Sequence, residues 1–245
     1  MWRPYPGLRG KARLMDIALL QALNEARRAR RAAVVVTDLS GGPSRLVVEG
    51  DPLDGPLGDE IGQRLRSGKS GLLTIEERSW FLNVHLPPAR IVVIGAVHIS
   101  QALAAMAPAA GFDLEIIDPR TAFATPERFA GVKLTADWPE DVLKDGPLDA
   151  FTALVAVTHD PKIDDYPLVS ALKTGCFYIG ALGSRKTHAK RVDRLKEAGC
   201  TEAQIARISA PIGLDIGAST PGEIAVAILA DIIQALRKRV IGAGA

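Results

Sequence analysis

The side chains of this chain that could do chemistry stand in short segments, each close behind an apolar run. Gly95, Ala96, Val97 and His98 follow Ile91 to Ile94, and Asp118, Pro119 and Arg120 follow Leu114 to Ile117. Thr158, His159 and Asp160 follow Thr152 to Val157; Gly180, Gly183, Ser184 and Arg185 follow Phe177 to Ile179; Asp215 lies in the loop from Pro211 to Gly217. Near-continuous apolar runs alternating with helical stretches are strands of a buried parallel sheet, and such sheets bind ligands outside the carboxyl ends of their strands. The chemistry on offer is the binding of a phosphorylated or nucleotide-like ligand. A helix dipole beginning after Gly95 favours an anion, Asp118 is placed to accept hydrogen bonds from ribose hydroxyls, and Arg120 can meet a phosphate.

Each segment also has a plainer reading. Val97 and Ser100 stand where the second and third glycines of a pyrophosphate-binding turn would be, which disfavours NAD(P) in its usual pose and leaves a simple strand-to-helix turn as the alternative. Asp118 and Pro119 can begin a turn, and Asp160 can cap a helix starting at Pro161. Asp164 and Asp165 add carboxylates to the group at Thr158, His159 and Asp160, yet the spacings define no metal site, and none is expected. Ser184 can cap the next helix, whose first turn carries Arg185, Lys186 and His188; cations there oppose the dipole, a cost that a bound anion would offset. The glycine-punctuated loop around Asp215 approaches either a ligand or the neighbouring backbone. Cys176 and Cys200 read as packing residues, and no catalytic residue is assigned.

The elements that must position these groups divide at Pro87 and Pro88, where two prolines end a strand and fix an extended connector. Residues 1–14 show no periodicity and are expected to be a disordered extension, with Met15 an alternative start. Residues 15–88 read as a small α+β domain: a helix on Ile17, Leu19, Leu20, Leu23 and Ala26, a hairpin of Ala32–Thr37 with Arg45–Glu49, a short helix near Leu57 to Arg66, then strands at Gly71–Ile75 and Trp80–Leu86. Residues 89–245 read as the parallel-sheet domain. It has a helix near His98 to Ala109, an edge strand at Val132–Thr135, a helix from Pro161 to Lys173, and two or three helices at the end. In the last, Thr220, Pro221 and Glu223 form a capping box ahead of a buried stripe of Ile224, Ala227, Ile228, Ile232 and Leu236. The fold class is α/β, a Rossmann-like parallel sheet with a smaller N-terminal α+β domain.

A net charge of +2 is too small to require a polyanionic partner, and aromatic residues at 5% are too few for base-stacking surfaces, so nucleic acid is not expected. No run approaches the length of a membrane span. With two cysteines a disulfide framework is excluded, which makes the cytoplasm the expected location.

Taken in order, these motifs resemble the XdhC/CoxI family, maturation factors for molybdenum hydroxylases such as xanthine dehydrogenase and aerobic carbon monoxide dehydrogenase. The resemblance covers roughly residues 90 to 238 and is carried by Gly95 to His98, Asp118 to Arg120, Thr158 to Asp160, Gly180 to Arg185, Pro211 to Gly217 and Thr220 to Ala225. It implies a chaperone rather than a catalyst. Gly95, His98, Asp118, Arg120, Thr158, His159, Asp160, Gly183, Ser184, Arg185 and Asp215 would transiently bind molybdenum cofactor, as molybdopterin or its dinucleotide form. The implied partners are a molybdenum hydroxylase apoenzyme, a cysteine desulfurase that sulfurates the cofactor, a second copy of the chain, and a paralogous member of the family. Relatives usually carry glycine where Val97 and Ser100 stand, and many have an N-terminal cysteine motif, whereas residues 1 to 88 here contain no cysteine. Two alternatives follow: an NAD(P)-binding oxidoreductase with His159 or His98 as proton donor, and a non-catalytic interaction subunit of the maturation complex.

Overall fold

The computed structural model describes residues 16–238; the extension expected over residues 1–14, the alternative start at Met15 and residues 239–245 lie outside them. The chain forms two compact units, one ending at Pro87 and the other beginning at Pro88.

The first unit runs α1 (Ile17–Arg28), β1 (Ala33–Asp38), β2 (Arg45–Val48), α2 (Gly55–Ser67), β3 (Gly71–Ile75) and β4 (Arg78–His85). Its four strands form an antiparallel sheet in the order β2-β1-β4-β3. Asp16 caps α1 by accepting from the Ala18 amide, and Leu19, Leu23 and Ala26 pack on Ala33 and Val35. Gly68 ends α2 in the left-handed conformation that glycine adopts without a Cβ penalty.

The second unit runs β5 (Arg90–Ile94), α3 (His98–Met106), β6 (Asp113–Ile117), β7 (Lys133–Thr135), α4 (Pro139–Asp145), β8 (Thr152–Ala156), α5 (Pro161–Thr174), β9 (Tyr178–Ala181), α6 (Arg185–Glu197), α7 (Glu202–Ile205), β10 (Ile208–Ser209) and α8 (Pro221–Lys238). Its six strands are parallel, in the order β10-β9-β8-β5-β6-β7. The order reverses between β5 and β8, which makes their carboxyl ends the switch point where ligands of this fold bind. Successive strand residues feed opposite layers. Ile91 and Val93 join Leu103, Ile228 and Ile232 on one face; Val92 and Ile94 join Leu168, Leu172 and Leu195 on the other. Covering both faces is why the central strands carry consecutive apolar residues, Ile91 to Ile94 in β5 and Ala153 to Ala156 in β8, rather than alternating ones.

Two details differ from expectation. The helix expected to reach Ala109 ends at Met106, because Pro108 cannot continue it, and a 3-10 turn takes Pro108–Ala110. The second unit also gains a helix, α4, and the sheet an edge strand, β10, both too short to show a period. Among the described residues no helix is long and apolar enough to cross a membrane.

Candidate anion-binding site at the carboxyl edge of the sheet

Gly95 leaves β5 with φ +119°, and a Cβ built there would meet Thr158 Cγ2 at 2.8 Å. Glycine is required because two strand ends meet here, β5 from one side of the switch point and β8 from the other. The turn that follows is tied down from within. The Ala96 amide donates to Asp118 Oδ2 at 2.7 Å, and the buried Ser100 hydroxyl donates to the Gly95 carbonyl. Arg128 Nη1 donates to the Ala96 carbonyl at 3.1 Å. Ser100 at the third glycine position is therefore accommodated by a hydrogen bond. Val97, at the second, has extended backbone and brings a β-branched residue to a position where a pyrophosphate-binding turn uses glycine.

Asp118, expected to face a ligand, lies inside the turn. It is fully buried, and its carboxylate accepts from the Ala96 amide, the Arg120 amide at 2.9 Å, Arg120 Nε at 2.9 Å and Arg120 Nη2 at 2.8 Å. A carboxylate holding that many internal donors has no lone pair to offer a ribose, so its work is to aim Arg120. Burial alone would raise its pKa; the hydrogen bonds from Arg120 and Ala96 outweigh burial and hold it below the usual carboxylate range. In turn the Asp118 carboxylate raises the pKa of Arg120, with Asp160 and Asp164 adding smaller contributions through space. The Arg120 side chain keeps about a third of its surface exposed (31%), and its guanidinium carbon lies 4.7 Å from the Phe123 ring centroid.

At the end of β8 the Thr158 hydroxyl donates to Asp164 Oδ1 at 2.7 Å and accepts from the Asp160 amide at 3.0 Å. Those bonds bracket His159, which is held at φ +63°, a left-handed conformation that costs a non-glycine residue of order 1 kcal/mol or more. His159 is thereby turned outward and exposed, while Asp160 caps α5 by accepting from the Lys162 amide at 3.0 Å. Thr158, His159 and Asp160 thus do not form a hydrogen-bonded relay. The cap and the ligand edge coincide.

At the end of β9, Gly183 has φ +141°, and Ser184 caps α6 by accepting from the Thr187 amide at 3.2 Å. No acidic residue lies in the first turn of α6. His98 at the start of α3, Arg185 at the start of α6, and Asp215 in the loop before α8 are exposed. In that loop the close approach is to protein: a Cβ on Gly213 would meet the Ala227 carbonyl carbon at 2.9 Å, so the glycine serves the packing of the loop on α8.

Sequence reasoning named Asp164 and Lys186 but missed Lys190, Arg191 and Arg194, which stand with them around one cavity. A cavity of about 360 Å³ between α5 and α6 is lined by His159, Pro161, Asp164, Lys186, Thr187, Lys190, Arg191 and Arg194. Asp164 (1% exposed) and Arg191 (2%) are buried there, and Asp164 Oδ2 and Arg191 Nε and Nη1 make no hydrogen bond. Burial pushes the Asp164 carboxyl up to about 6, against the pull of Thr158 and Arg191. The available signal was Arg191 lying four residues before Leu195 in an otherwise charged helix, a cation on the buried stripe. No group of three or more His, Cys, Asp or Glu among the described residues is arranged to hold a metal ion. Cys176 is buried, and that burial pushes its thiol up to about 12, consistent with packing rather than reactivity.

The strand order, the glycine at the switch point and the cations at the carboxyl edge are those of a Rossmann unit. Residues 91–232 match the XdhC Rossmann domain, and the chain belongs to that family. It is 29% identical over 146 residues (60% of this chain, 40% of the relative) to an Escherichia coli protein named molybdenum cofactor insertion chaperone PaoD. It is 34% identical over 155 residues (63% of this chain, 44% of the relative) to a Bacillus subtilis protein named as a probable xanthine dehydrogenase component. These matched segments span less than half the length of either relative. A Bacillus halodurans crystal structure described as a xanthine dehydrogenase has the same fold, with a TM-score of 0.59 and 24% identity, covering 94% of this chain and 68% of that one.

Proposed function

We propose that this protein is a maturation chaperone that binds molybdenum cofactor and delivers it to a molybdenum hydroxylase of the xanthine dehydrogenase or carbon monoxide dehydrogenase type. The observation that carries the reading is the match of its Rossmann unit to the family of which the E. coli relative is named a cofactor insertion chaperone. The donor set fits such a cargo. Arg120, aimed by Asp118, and the unpartnered N–H groups of Arg191 suit a phosphorylated organic ligand, and no cluster suited to a metal ion is needed when the cargo brings its metal already bound to its own ligand.

A carrier needs reversible affinity and a docking face, not a general base. The exposed residues His98, His159, Ser184, Arg185 and Asp215 form the open side of the site in this reading, with Gly95, Thr158, Asp160 and Gly183 shaping its backbone. Sulfuration of the cofactor by a cysteine desulfurase is assigned to a partner, since Cys176 and Cys200 are both buried. With two free thiols and no disulfide among the described residues, we place the work in the cytoplasm. The protein should raise the activity of an apo-hydroxylase when added with molybdenum cofactor, and Arg120→Ala should lower that activation several-fold. Activation unaffected by omitting the protein would refute the reading.

A further inference from the structure

The cavity between α5 and α6 is a built site rather than a surface dent. Its floor carries Arg191, 2% exposed, whose Nη2 donates to the Leu182 carbonyl at 2.9 Å while Nε and Nη1 make no hydrogen bond. Leaving a buried guanidinium with idle donors is costly, and native proteins rarely do it without an occupant. Its rim carries Lys186 and Lys190, both exposed, at the N-terminal half of a thirteen-residue helix whose first turn has no acid. Arg194, also on the wall, is already engaged by Asp165, with Nη2 to Oδ1 at 3.1 Å. Asp164 is the one carboxylate among the residues lining the cavity, against three cations, Lys186, Lys190 and Arg191, that form no ion pair among the described residues, although Asp164 and Asp165 attract Arg191 through space. The balance of charge asks for an anion, and the idle donors of Arg191 say where it sits.

We propose that this cavity is a subsite for a phosphate group, held by Arg191 Nε and Nη1 from below and by Lys186 and Lys190 from the rim, with Asp164 Oδ2 accepting from a hydroxyl or ring N–H of the same ligand. The volume, about 360 Å³, exceeds what phosphate alone fills and lies at the small end of the range for organic ligands. The Gly95 turn is the weaker place for a phosphate, because its Ala96 amide is held by Asp118 and a β-branched residue, Val97, stands where the second glycine would be. The proposal deepens the chaperone reading, on which it rests only for the identity of the molecule that carries the phosphate.

Calorimetric titration of the full chain with inorganic phosphate tests it. Wild type should bind, Lys186→Ala/Lys190→Ala should bind about tenfold more weakly, and Arg191→Met should abolish binding. Lys133→Ala/Lys173→Ala removes the same charge elsewhere in the unit and should bind as wild type does. The lysine pairs are exposed, so their variants keep the test valid even where Arg191→Met fails to fold. No heat with millimolar phosphate, or equal affinity in the two lysine double variants, overturns the subsite. The two readings fail separately. Wild type that carries pterin while phosphate affinity ignores Lys186 and Lys190 loses the subsite alone, and phosphate binding as expected without any pterin loses the cargo alone.

Discussion

Gly95 and Asp164 are the residues whose environments make the sharpest demands. At Gly95 a methyl group would have to coexist with Thr158 Cγ2 at 2.8 Å on a backbone of φ +119°, so Gly95→Ala should destabilise the chain by roughly 2–4 kcal/mol in urea unfolding. A loss below about 0.5 kcal/mol would mean that the two strand ends can part more easily than the packing implies. At Asp164 the folded pKa of about 6 lies above the ordinary value of 3.8, so the folded chain holds its proton more tightly than the unfolded one. Between those values raising the pH therefore removes stability, on the order of 2–3 kcal/mol in all. The stability of Asp164→Asn relative to wild type should climb by that amount from about pH 4 to pH 6 and level off above it. A difference that stays flat across the window would show that Asp164 titrates normally. Sequence alone placed Asp118 and Arg120 together at a strand tip; it did not reveal that the carboxylate clasps its neighbour's guanidinium. That clasp depends on the backbone between them and on the Ala96 amide arriving from the turn after β5. Arg191 was hidden differently, as one cation among many in α6, where only its register with Leu195 betrays a buried position.

The elements carry their own punctuation. Asp160 caps α5 with Pro161 at the first helical position, a pairing that begins the helix at the ligand edge without a loop. Asp160→Ala should cost about 1 kcal/mol and Asp160→Asn much less, since either oxygen-bearing side chain can accept from the Lys162 amide. Should Asp160→Asn nevertheless impair cargo binding, the carboxylate has a role beyond its cap. The capping box at Thr220 and Glu223 is formed as its spacing predicts, with the Thr220 amide donating to Glu223 Oε2 at 3.0 Å and the Glu223 amide to Thr220 Oγ1 at 3.3 Å. Strands and helices with strong periods were legible because burial on one or both faces fixes which residues they can use. The short α4 and the two-residue β10 were not, because seven residues of helix or one pair of strand residues leave too little pattern to read.

For the whole molecule, the parallel sheet and its family were legible because the strand-end motifs occur in a fixed order, and the fold puts all of those strand ends on one edge. Which of those motif residues face a ligand was less so. Asp118 and Ser100 turn inward, and Arg191, which the motifs do not single out, lines the cavity beside Asp164. The central claim is that the chain carries molybdenum cofactor, and one measurement tests it most directly: molybdenum and oxidised-pterin fluorescence assayed in the protein purified from molybdenum-replete cells. The account predicts both in matching, substoichiometric to equimolar amounts, reduced in Arg120→Ala and in Lys186→Ala/Lys190→Ala. Neither molybdenum nor pterin in the wild-type protein, under conditions where a co-expressed hydroxylase acquires its cofactor, would contradict it.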